Sequence, residues 1–130
     1  MQAYLLVYEA PPKLKELSKE EAEEIVEAIM SRPPQDVDRG WQFVWENVEK
    51  VRRLVKERMT LVAHAAREDG LGVIVKTAYA AWLPDGRALL VVEKCVKRVE
   101  GVVFLDFQHA VVDTSRRNLY EHILDALGPW

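Results

Sequence analysis

Apolar and polar positions along this chain fall into blocks whose period changes, and each change marks an element boundary. In the second half, Gly72 to Trp82, Arg87 to Val99 and Val102 to Val112 are rich in valine, leucine and alanine, which reads as three strands. Asp85-Gly86 and Glu100-Gly101 stand between them, and such glycine dipeptides favour two-residue hairpin loops. The pattern predicts a three-stranded antiparallel meander. An earlier run, Ala3 to Glu9, is apolar and stops at Pro11-Pro12. It predicts a strand buried on both faces, joining the meander in one sheet.

Helical spacing fills the rest. Ser18 with Glu21 forms a capping-box pattern, and Ala22, Ile25, Val26, Ile29 and Met30 follow at intervals of three and four, which predicts a helix over Lys19 to Ser31. Pro33-Pro34 ends it, because proline cannot continue a helix and restricts the residue before it. A second helix restarts near Asp36 or Asp38. Val37, Trp41, Val44, Val48, Val51, Val55, Val62 and Ala66 keep a helical seam, strained near Arg58, until Asp69-Gly70, and this predicts one long helix. Glu46 with Lys50 and Glu49 with Arg53 suit its solvated face. A last helix follows Asp113-Thr114-Ser115, buries Leu119, Ile123, Leu124 and Leu127, and closes at Gly128-Pro129.

The order is therefore β-α-α-β-β-β-α, in a single α+β domain over residues 1–130, with helices packed on one face of a mostly antiparallel sheet. Hydrophobic residues make up 49% and charged residues 30%, the composition of a globular chain rather than a disordered one. A net charge of -3 argues against a broadly basic nucleic-acid footprint. No apolar run approaches the roughly 18 residues of a membrane helix. The first residues reach Glu9 before any basic side chain, unlike a signal peptide. Cys95 is the single cysteine, so no internal disulfide forms and a reducing cytoplasm is expected. Few Gln and Asn stand beside many Glu, Lys and Arg, a bias of proteins from hot environments.

Candidate chemistry comes from the register that two-residue loops impose. Trp82 then opposes Leu89, Lys76 opposes Cys95, Cys95 opposes Asp106, and Glu93 opposes Gln108. One face collects Tyr79, Leu90, Val92, Leu105 and Phe107 as the core. The other brings Lys76, Glu93, Cys95, Asp106 and Gln108 together beside an apolar end of Trp82 and Leu89. Glu93 and Asp106 are candidate ligands for Mg2+ or Mn2+, with Lys76 and Gln108 as candidate catalytic partners that orient water or stabilise charge. The simpler reading is a set of cross-strand ion pairs.

The segment from Pro84 to Lys94 resembles the hairpin of restriction-endonuclease-like nucleases, in which an acidic residue precedes a strand ending in (D/E)-x-K. Here that pattern would need lysine where Cys95 stands, and Lys94 points to the opposite face. Asp106-Phe107-Gln108 restores a (D/E)-x-Q variant one strand later, with Glu93 as its acidic partner. The resemblance implies a metal-dependent nuclease-like enzyme as the alternative function. The leading expectation is a non-catalytic interaction or assembly module without cofactor, acting as a homo-oligomer or complex subunit. Its expected contacts are Trp41 and Trp45 on the overhang of the long helix and Trp82 and Leu89 on the sheet. His64 and His122 read as structural residues.

Overall fold

The computed structural model describes residues 3–7, 13–31, 40–70 and 72–128, with side chains at 13–31, 48–68, 70, 72–102 and 106–128. In chain order the elements are β1 (Ala3–Val7), α1 (Lys19–Met30), α2 (Gly40–Arg58), β2 (Thr60–Asp69), β3 (Gly72–Trp82), β4 (Ala88–Arg98), β5 (Gly101–Val112) and α3 (Leu119–Leu127). The α+β class holds. All five strands lie in one antiparallel sheet in the order β1-β2-β3-β4-β5.

Local chemistry sets the helix ends. Ser18 Oγ accepts from the Glu21 amide at 3.1 Å while the Glu21 carboxylate accepts from the Ser18 amide at 3.0 Å, the reciprocal pair that starts α1. Asn118, not one of the Asp113-Thr114-Ser115 trio, caps α3 by accepting from the Glu121 amide at 2.9 Å. At the C-terminal end of α2 the Lys15 ammonium donates to the Glu57 carbonyl at 3.1 Å. The Lys15 amide donates to Thr60 Oγ1 at 3.0 Å, so the segment before α1 clasps the helix-to-strand joint. The same segment runs beside the end of β3, where Leu17 donates to the Trp82 carbonyl and Trp82 donates to the Lys15 carbonyl.

The long helix ends sooner than its spacing predicts. Thr60 to Asp69 is a strand, so the meander has four hairpin-joined strands, β2 to β5, instead of three. Alanines 63, 65 and 66 are strong helix formers, but propensity is weak beside the burial that a central sheet position supplies. Ala63 and Ala65 are buried against α3, and no proline or glycine marks the break. The strain in the helical seam near Arg58 was its trace.

The hairpin registers differ as well. The β3–β4 connection is the five residues Leu83 to Arg87, closed by Leu83 donating to the Arg87 carbonyl and by the Asp85 carboxylate accepting from the Arg87 amide. Trp82 therefore opposes Ala88 and not Leu89. The next turn is Val99-Glu100, one residue earlier than expected, and the β4–β5 ladder skips Leu105. A shift of one residue moves a strand's whole side-chain set to the other face.

Both sheet faces are covered, correcting the expectation of one. On the first, α1 and α2 bury Ile25, Ile29, Val51 and Val55 against Ala81, Leu89, Val91 and Phe107. On the second, Ile123 and Leu127 of α3 pack on Ala63, Ala65, Ala78, Ala80, Leu90 and Val92. The small alanines let the helix approach closely. This explains why Ala88 to Val92 is buried without alternation.

Candidate functional site

The true register divides the residues that sequence spacing had gathered. Glu93 opposes Thr77 on β3 and Phe107 on β5, on the side of α1 and α2. Lys76 opposes Lys94, which opposes Asp106, and Gln108 opposes Val92, all on the side of α3. The two candidate metal carboxylates thus sit on opposite faces, and the convergence of Lys76, Glu93, Asp106 and Gln108 does not occur. Among the described residues no group of three His, Cys, Asp or Glu side chains comes together as a metal would require.

What Glu93 does meet is Arg52 of α2. The guanidinium Nε donates to Glu93 Oε2 at 2.6 Å, a second nitrogen donates to Glu49 Oε1 at 3.1 Å, and a third reaches Cys95 Sγ at 3.6 Å. Arg52 and Glu93 side chains are 20% and 15% exposed, so this charge-assisted pair is largely withdrawn from water and pins α2 to β4. Burial works to lower the Arg52 pKa, but hydrogen bonding to Glu93 and its charge outweigh that and raise it. Burial first, and then the Glu93 charge, push the Cys95 thiol up. A buried thiol held protonated is a poor nucleophile. Tyr79 is raised by the same two causes.

On the α3 side, Lys76 is buried and its ammonium donates to the Leu127 carbonyl at 2.9 Å, at the end of α3. Burial, and then the neighbouring Lys94, lower its pKa. The lysine thus serves as a C-terminal helix partner. His122 Nε2 lies 2.9 Å from the Asp113 carbonyl and His64 Nδ1 lies 3.4 Å from Thr77 Oγ1, both structural placements.

Of the expected contact residues, Leu89 is 0% exposed inside the first core cluster and Trp82 packs against the second. Leu89 therefore offers no surface. The side chains of Trp41 and Trp45, in the first turns of α2, lie outside the described residues.

The surface that spacing did not single out is the outer edge of β5. This strand is twelve residues long, ends the sheet and carries Asp106 as its one Asp, Glu, Lys or Arg. Edge strands are usually blunted by lysine, proline or shortness. Here Val102 and Val111 are 48% and 45% exposed, and Gln108 and Ala110 are exposed beside them. The signal lay in the sequence as a long strand with one carboxylate at the end of the meander, but which strand forms the edge depends on the whole topology. No helix among the described residues is long and apolar enough to cross a membrane. Comparison with protein-family models, with curated proteins and with solved structures finds no match.

Proposed function

We propose that the protein is a non-catalytic interaction and assembly module that associates by strand addition at β5. The observation that carries this reading is a twelve-residue strand that stands last in the sheet among the described residues, with one Asp, Glu, Lys or Arg and two half-exposed valines. Such an edge presents a row of backbone donors and acceptors that another strand satisfies at low cost. Arg52, Glu93 and Lys76 are engaged in holding helices to the sheet, which is a structural use of the charged groups nearest the core. The alternative of a Mg2+- or Mn2+-dependent nuclease drew on the convergence of Glu93 with Asp106, and no arrangement among the described residues favours it. We place the module in the cytoplasm on its one cysteine, buried and free.

Mass and stability test the reading together. Static light scattering across a hundredfold dilution should give a mass above one chain at the concentrated end, and the melting temperature should rise with concentration because association stabilises the folded state by mass action. A single-chain mass with a concentration-independent melting temperature, and no protein partner captured under the same conditions, would remove it.

A further inference from the structure

Arg67 of β2 has a nitrogen that the fold leaves without a hydrogen-bond acceptor. Among the described residues its Nε is withdrawn from water and has no partner. Buried donors are nearly always satisfied, so such an atom in a charged group calls for a cause. Arg52 is the contrast, since its guanidinium on the other face meets Glu93 and Glu49. Around Arg67 the register supplies no acid. Ile74 opposes it on β3, Lys76 and Gly72 stand on the two diagonals, and Glu68 turns to the opposite side of the sheet.

Two lysines share this face. Lys76 and Lys94 oppose each other directly on β3 and β4, an arrangement in which Cβ atoms stand about 4.5–5.5 Å apart and like charges repel. Lys76 is buried, and after burial itself the charge of Lys94 is what lowers its pKa. We propose that Arg67, Lys76 and Lys94 form a site for a small doubly charged oxyanion of the phosphate class, on the sheet just past the end of α3.

The helix leaves this place uncovered. α3 packs on Ala63, Ala65, Ala78 and Ala80 and closes at Leu127, whose carbonyl accepts from the Lys76 ammonium. Arg67 lies two residues beyond Ala65 along β2, and both Arg67 and Lys94 stay partly exposed, as long cationic side chains do when the stem lies on the sheet and the charged end reaches water. Charge then selects the ligand. Three cations stand against the Asp106 carboxylate opposite Lys94. With roughly half a negative charge at the carbonyl end of α3, a surplus of about +1.5 remains. A doubly charged anion matches that surplus better than a single carboxylate, and a guanidinium fork beside ammonium groups suits phosphate oxygens. The site stands apart from the assembly reading, because it needs no contact between β5 and a partner.

Calorimetric titration of inorganic phosphate near neutral pH, at constant ionic strength, tests it. The wild type should bind one phosphate per chain. Arg67→Gln and Lys94→Gln should each weaken that binding by roughly tenfold or more, while Lys97→Gln, on the other face of β4, should leave it unchanged. Acetate at the same ionic strength should bind roughly tenfold more weakly than phosphate. Phosphate should also raise the melting temperature of the wild type and of Lys97→Gln and leave that of the other two variants in place. Lys94→Gln carries the test where Arg67→Gln does not fold. An absence of saturable binding, a loss shared equally by Lys97→Gln, or acetate bound as tightly as phosphate overturns the assignment.

Discussion

At the scale of single residues, the chemistry hangs on what each charged or reactive group faces. Cys95 opposes Val75 on β3 and lies near Arg52 and Glu93 of the α2 side. Burial and the Glu93 carboxylate raise its pKa in the folded chain. The unfolded chain releases the thiol proton near pH 8.5, while the folded chain still holds it, so between the two values the folded state binds more protons and stability falls as pH rises. Urea unfolding of wild type and Cys95→Ala between pH 7 and pH 10 should show the wild type losing ground to the variant above about pH 8.5. A pH-independent difference would mean that the thiol titrates alike in both states. The burial of Cys95 as a small hydrophobe was readable from its place in an apolar strand. Its neighbour Arg52 was not, because the contact spans 43 residues of chain and depends on how α2 lies over the sheet.

At the scale of elements, glycines at strand ends decide whether hairpins close. Gly72 begins β3 at φ +146, and a Cβ there would stand 2.5 Å from the Lys97 carbonyl oxygen, whereas a Cβ at Gly70 meets nothing within 4 Å. Gly72→Ala should cost about 2 kcal/mol or more through backbone strain and collision with a fixed carbonyl, and Gly70→Ala should change stability by less than about 0.5 kcal/mol. Chemical denaturation of the pair measures both, and equal effects would mean that the hairpin relaxes freely. Elements with strong local signals were legible: Ser18 and Glu21 placed the start of α1 at Lys19, and the span Gly72–Trp82 of β3 stands as its pattern reads. The joint at Met59 and Thr60 was not, since alanine-rich Thr60–Asp69 satisfies helical spacing and only sheet pairing turns it into β2. Register was the least legible feature. A five-residue loop in place of two and one skipped residue are small local choices, yet each reverses the facing of a strand, and this is why Glu93 and Asp106 seemed adjacent.

At the scale of the whole molecule, the sheet is filled from both sides in unequal measure. Two helices cover the first face, while the nine-residue α3 covers the second over β2, β3 and β4, leaving Gln108 and Ala110 of β5 exposed there. Protection from hydrogen exchange should follow this asymmetry. Amides of β3 and β4 have a strand on each side and exchange by the rarest openings. In an edge strand only alternate amides point to a neighbour, so in a separated chain the outward amides of β5 exchange at rates close to those of loops. Exchange measured residue by residue at dilute and concentrated protein should therefore show one set of β5 amides protected at both concentrations and the alternate set protected at the higher one alone. Protection of both sets at high dilution would mean that another part of the same chain already satisfies the edge, and that β5 is not where the module meets its partner.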